Sequence, residues 1–254
     1  MSELEIAAIL LAGMAAGTIN TVVGSGTLIT FPTLLAFGVS PVTANVSNTV
    51  GLVPGNVSGA IGYRAELAGQ RTRLLRLGSA SLVGGVAGAV LLLWLPSEAF
   101  DTIVPALVGL GVLLVILGPA ISRRVAARAA HEVPPEHGAP WVWPAVLLAG
   151  VYGGYFGAAQ GVLLVAILGI GVADSLQRHT ATKNVLAGIV TAVAAVVFVV
   201  VADVDWAVAG LIAAGSIVGG QLGATVGRRL PAPVLRAVIV VVGVTALLVF
   251  LLSD

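Results

Sequence analysis

The sequence predicts an all-α integral membrane protein, a polytopic helical bundle of two inverted-topology repeats. Each repeat opens with a broken helical hairpin followed by three spanning helices. Three observations carry this reading. Hydrophobic residues make up 58% of the 254 residues and charged residues 9%, against about 25% charged in a soluble domain. That is too little charge to cover a water-facing surface, and mean hydropathy is +1.10. The apolar sequence also falls into runs of membrane-crossing length, and the two halves share motifs in the same order.

The first apolar region is Leu4–Gly38. A span needs about 20 apolar residues, whereas this region as one helix would be roughly 52 Å long. Its glycine-rich interruption, GTINTVVGSG, predicts two helical pieces with a break between them. Spans follow at Val42–Tyr63, Leu74–Leu95 and Phe100–Ile121. The second half repeats the plan. Val142–Gly171 would be roughly 45 Å as one helix and is interrupted by GVYGGYFGAAQG. Its spans are Thr180–Ala202, Trp206–Val226 and Pro233–Leu252. The chain thus divides into a first transmembrane repeat over 1–122, a basic, proline-containing connector over 123–140 and a second repeat over 141–254.

Shared motifs support the duplication. LLAG at Leu10 recurs at Leu147, and LVGGVAGAVLLLWLP at Leu82 recurs as IVGGQLGATVGRRLP at Ile217. Aligning NVSNTVGLV with ATKNVLAGI sets Asn48 opposite Asn184 and Ser47 opposite Lys183. Loop charge then gives orientation, because short cytoplasmic loops are enriched in Lys and Arg. Arg64, Arg71, Arg73 and Arg76 put the loop after Val42–Tyr63 inside; its counterpart, ADVDW, is acidic and outside. LPSEAFD is acidic and outside; its counterpart carries Arg228, Arg229 and Arg236 and lies inside. Paired loops change sides, so the repeats are read as inverted, an arrangement common in secondary transporters. Each broken segment must then enter and leave on one side. The rival is eight simple spans in parallel repeats, which would place Asp203 and Asp205 inside. Both termini are predicted outside and the connector cytoplasmic. MSELEIAAILLAG has no basic n-region, so no cleaved signal peptide is expected.

Irregular backbone at membrane depth survives only where protein buries it or a wet cavity borders it. Half-helix N-termini also bind anions through free N–H groups and partial positive charge. The break glycines Gly24 and Gly26, with Ser25 and Thr27, are matched by Gly157 and Gly161, with Gln160. These glycines fit either a binding site or close helix packing. On the helices after the breaks, Asn45, Asn48 and Thr49 share one face, as do Thr180, Lys183 and Asn184. Asn48 and Asn184 suit a site or interhelical glue. Lys183, the only lysine, is either a snorkelling anchor or a ligand for an anion. It lies more than a turn deeper than Arg178, which marks the interface. His179 and Asp174 are candidates for proton coupling.

Zero cysteines exclude disulfides and thiolate chemistry. The chain has no P-loop, no paired carboxylates within a span and no metal-spaced cluster. His131 and His137, beside Glu132 and Glu136, read as a solvated loop. Catalytic residues, a metal and a cofactor are therefore not expected.

AAGTINTVVGSGTLITFPTLLAFGVSPVTANVSNTV, GAIGYR and VGGQLGATVGRRLPAPVLR resemble the TauE/SafE sulfite exporter family of membrane permeases, over essentially the whole chain. The resemblance implies movement of sulfur-containing anions such as sulfite or organosulfonates, or of small organic acids, across the bacterial cytoplasmic membrane. The run GSG is shorter in glycine than the family's usual pattern. The leading expectation is a secondary transporter working by alternating access, with Ser25, Thr27, Asn48, Gln160, Lys183 and Asn184 lining the substrate site. Its expected partners are a small anion and the lipid bilayer, not nucleic acid, with self-association left open. The alternatives are a gradient-coupled transporter of another organic acid or of a cation and, further off, an intramembrane enzyme or a scaffold.

Overall fold

The computed structural model describes residues 1–129, 135, 137–226 and 232–252. Over those residues it is built from helices. The first broken hairpin is α1 (Glu3–Val22) and α2 (Thr27–Ala36), followed by α3 (Pro41–Gly62), α4 (Arg71–Trp94) and α5 (Ser97–Ala129). The second is α6 (Val142–Tyr155) and α7 (Gln160–Gly171), followed by α8 (Leu176–Val201), α9 (Trp206–Thr225) and α10 (Ala232–Leu252). A short 3₁₀ turn, Arg64–Leu67, links α3 to α4. Helix α5 runs on to Ala129, into the predicted connector. Arg228 and Arg229, and the connector residues His131, Glu132 and Glu136, lie outside the described residues.

Among the described residues, five helices are long and apolar enough to cross a membrane: α1, α4, α5 over Ser97–Ala120, α8 and α9. Helix α3 has the length but carries Asn45, Ser47, Asn48, Thr49 and Asn56, which lower its hydropathy. Helices α2 and α7, of 10 and 12 residues, reach only about 15 and 18 Å, half of a hydrocarbon core of about 30 Å. Helix starts are set locally. Ser2 and Glu5 form a capping box on α1. Ser175 accepts from the Arg178 amide at α8, and Asp205 from the Ala207 and Val208 amides at α9.

Packing repeats when the halves are exchanged. Helix α1 lies on α9 and α6 on α4; α3 lies on α9 and α8 on α4; α3 and α8 cross each other, as do α5 and α10; and α7 meets α5 as α2 meets α10. Small residues admit the closest of these contacts. Gly215 and Gly219 face the Leu10 and Met14 carbonyls, and Gly84 and Gly88 face those of Leu147 and Val151. The second hairpin begins and ends at one end of the bundle, since the Ala139 amide donates to the Gly171 carbonyl at 2.8 Å.

That same end carries the principal polar corner. Arg73 Nη1 donates to Asp174 Oδ2 at 2.6 Å and to Gln70 Oε1 at 2.8 Å. Arg178 Nε reaches the Asp174 carboxylate at 2.8 Å, and its Nη2 donates to the Ala68 carbonyl at 3.1 Å. The loop between α3 and α4 is thereby tied to the loop between α7 and α8. Burial alone would raise the Asp174 carboxyl, but hydrogen bonds from Arg73, Arg178 and the Ser175 amide hold it below the usual carboxylate range.

Candidate substrate site

The two breaks meet at the centre of the molecule. The Gly161 amide donates to the Gly24 carbonyl at 3.0 Å. Gly24 has φ +90°, and a Cβ there would stand 2.4 Å from the Gly161 Cα. Both the dihedral and the contact require glycine. Gly157 also has positive φ, as does Ala159 at +61°, so the second break turns left-handed twice before α7 begins. A Cβ on Gly26 would strike the Ala16 backbone, which shows the chain doubling back on α1.

Around this crossing lies a cavity fed by both halves. Asn20, Gly24 and Thr27 come from the first hairpin; Gly153, Phe156, Gly157, Gln160 and Gly161 come from the second. Thr49, Leu52 and Asn56 of α3 face Asn184, Ala187 and Thr191 of α8 across it. Each trio has the i, i+3, i+7 spacing of one helical face. The first residues of α2 and α7 are in the wall, so both positive helix ends abut the cavity. Its lining contains no charged side chain. Gln160 Nε2 and Asn184 Nδ2 are buried and have no hydrogen-bond partner among the described residues. A buried amide group without a partner is costly, and these two border the space where a ligand would supply one. The Gln160 amide lies over Gly153, where a Cβ would stand 2.2 Å from its Cδ.

The expected site residues divide. Gly24, Thr27, Gly157, Gln160, Gly161 and Asn184 line the cavity. Ser25, Gly26, Asn48 and Lys183 do not. Lys183 is fully buried, and its Nζ donates to the Asn20 and Thr21 carbonyls at 2.7 and 3.1 Å. These carbonyls end α1, so the amino group caps a helix C-terminus, where positive charge is favoured. Snorkelling to the interface is thereby ruled out for this side chain. Its stem packs behind Gly161, whose added Cβ would meet the Lys183 Cδ at 2.9 Å. The other half makes the matching move: Asn45 Nδ2 of α3 donates to the Tyr155 carbonyl at the end of α6, at 2.9 Å. His179 is buried with Nε2 3.2 Å from the Val172 carbonyl, and Asp174 sits between its two arginines; both are away from the cavity.

Sequence reasoning missed Asn20, Asn56 and Thr191. The last two were within reach by extending the polar faces of α3 and α8 by two turns. Asn20, whose Oδ1 accepts from the Gly26 amide at 2.6 Å, carries no such periodic signal. An aromatic seat was also missed. Phe31 of α2 meets Phe156 edge-on at 5.0 Å between centroids, and Phe100 of α5 lies 6.1 Å from Phe156, pinning the second break to the first hairpin.

This is the build of a membrane transporter: broken half-helices facing a central polar cavity between two similarly packed halves. The family model described as "Sulfite exporter TauE/SafE" matches residues 9–250, and the chain belongs to that family of multi-pass membrane transporters. It is 25% identical over 243 residues to "Probable membrane transporter protein YfcA" of Escherichia coli (strain K12), covering 95% of this chain and 88% of that protein. It is 26% identical over 255 residues to "Probable membrane transporter protein ORF9" of Sinorhizobium sp, covering 98% and 93%. No solved structure matches.

Proposed function

We propose that this protein is a secondary transporter that carries a small sulfur-containing anion, such as sulfite or an organosulfonate, across the cytoplasmic membrane by alternating access. The observation that carries the reading is the cavity at the crossed breaks: two half-helix N-termini, two unpartnered amide groups and no acidic side chain. That set favours a small oxyanion over a cation. Gln160, Asn184 and Thr27 contact the anion directly. Lys183 acts from behind the Gly161 wall, holding the end of α1 and adding positive potential.

Alternating access rests on the inverted-repeat reading, with both termini outside and the connector in the cytoplasm. Two contacts support it. The loop after α3 and the loop before α8 touch through Arg73 and Asp174, and inversion puts both in the cytoplasm. Eight simple spans would put them on opposite sides. The second hairpin also returns to the end where it began, through Ala139 and Gly171.

The test is thermal unfolding of the purified protein in sulfite, with sulfate and chloride as controls, for wild type and Asn184→Ala. Ligand at about 100 times its Kd stabilises the folded state by roughly 2.7 kcal/mol. Stabilisation by sulfite in wild type and its loss in Asn184→Ala are expected. Equal stabilisation in both would remove the ligand from this cavity, and no response to any sulfur anion would remove the substrate class.

A further inference from the structure

Outside the lining of the anion cavity, the first break and helices α2 and α3 carry buried polar atoms that the transport reading leaves unused. Ser25 Oγ in the first break, Thr30 Oγ1 on α2, and Asn45 Oδ1 and Asn48 Oδ1 on α3 are all buried oxygens without a hydrogen-bond partner among the described residues. Their residues are at most 1% exposed. Thr27 joins them, its Oγ1 lying 3.5 Å from Asn48 Nδ2.

Helices α2 and α3 pack together across the short turn at residues 37–40. The contact between Thr27 and Asn48 fixes their antiparallel register. One turn closer to the connecting turn on each helix, that register sets Thr30 beside Asn45. Both asparagine orientations are fixed by their other atoms, since each Nδ2 already donates, Asn45 to the Tyr155 carbonyl and Asn48 to Thr27. Their Oδ1 atoms are therefore presented as acceptors.

Thr30 is unusual among the helical threonines. Thr18, Thr21, Thr33, Thr49, Thr180, Thr182 and Thr191 each donate the hydroxyl to a carbonyl one turn back, the ordinary way to satisfy a threonine in a helix. Thr30 makes no such bond. Buried oxygens on these adjoining segments each carry a desolvation cost, and one shared ligand would offset them together. Three backbone carbonyls at the first break are already engaged. Lys183 takes those of Asn20 and Thr21, and Gly161 takes that of Gly24.

We propose that Ser25, Thr27, Thr30, Asn45 and Asn48 form a site for a monovalent alkali cation, with sodium as the fitting ion. The set is all oxygen, which suits a hard cation, and contains no carboxylate, which divalent ions such as calcium and magnesium use to offset their dehydration. Thr27 stands in both walls, lining the anion cavity and touching Asn48. A cation on one side of Thr27 and an anion on the other attract one another, so each raises the other's affinity by the same factor. This inference names the coupling ion of the proposed transporter and rests on that reading.

The test is thermal unfolding of the full-length protein in detergent, titrated with sodium chloride against choline chloride at constant chloride and ionic strength. It is run without sulfite and then with sulfite supplied as its choline salt. Sodium is expected to raise the unfolding temperature saturably, and sulfite to lower the half-saturating sodium concentration. Thr30→Val keeps the shape and removes one oxygen. It is expected to unfold no earlier than wild type in choline, and to need about tenfold more sodium for half-saturation. Sulfite binding in choline is expected to be unchanged in that variant. Equal unfolding temperatures in sodium and choline, with sulfite still stabilising, would overturn the cation site and leave the anion site standing. A sodium response undiminished in Thr30→Val would place the ion elsewhere. Loss of the sulfite response in wild type would sink the transport reading itself.

Discussion

At the scale of single residues, the deep lysine is explained by what it holds. A buried amino group needs partners, and Lys183 finds two carbonyls at the broken end of α1. Lys183→Gln keeps one donor and loses the charge. It should destabilise the protein by about 1–3 kcal/mol, the cost of a buried acceptor left unpaired. It should also weaken sulfite affinity by about tenfold or more, because the positive potential behind the cavity wall is gone; a sulfite titration followed by unfolding temperature reads both effects. The glycines separate by their surroundings. Gly24 and Gly38 both have positive φ, but a Cβ on Gly24 meets the Gly161 backbone whereas one on Gly38 meets nothing. Gly38→Ala should cost only backbone strain, about 1–3 kcal/mol, and Gly24→Ala clearly more, with sulfite binding lost as the breaks part. Paired melting curves check the difference. These roles were only half legible. That Lys183 needed a partner could be read from its apolar setting, but the partners are backbone carbonyls of the first hairpin, which carry no side-chain signature.

At the scale of elements, the ends and interruptions of the helices were readable because they obey local rules. Apolar regions too long for one span became two hairpins, and five of the six other helices fall close to their predicted limits, while α5 runs on to Ala129, past its predicted end at Ile121. The depth of α2 and α7 was not readable, since a run of apolar residues looks the same whether it crosses or stops halfway. Contacts between elements were equally hidden. Asp174 looked available for proton transfer, yet it joins Arg73 and Arg178 in a corner that ties two loops. Its carboxyl is held below the ordinary value, so the pair contributes stability above about pH 3.9 that is lost as pH falls through the lowered value. Asp174→Asn should destabilise by roughly 2–3 kcal/mol at neutral pH, somewhat less than for a fully buried pair. That difference should shrink as acid protonates the wild-type carboxyl; unfolding measured from pH 7 downward checks it.

At the scale of the whole molecule, exchange of the halves maps one set of helix contacts onto the other, and the proposed alternating access rests on that correspondence. The repeat was read from small-residue motifs such as VGG at Val83 and Val218, and Gly84 and Gly219 within them each lie against a carbonyl of a neighbouring helix. Sidedness is testable because the chain has no native cysteine. Thr72→Cys and Gln177→Cys should be labelled by a membrane-impermeant maleimide only from the cytoplasmic face, and Asp203→Cys only from outside. Opposite sidedness for Thr72 and Gln177 would contradict the inverted arrangement. The most direct test of the central claim is counterflow. Proteoliposomes loaded with unlabelled sulfite should accumulate external radiolabelled sulfite through wild type, and the rate should collapse in a folded Gln160→Ala, Asn184→Ala double variant. Wild-type vesicles that bind sulfite but show no exchange, or a double variant that exchanges at the wild-type rate, would contradict transport through the cavity between the crossed breaks.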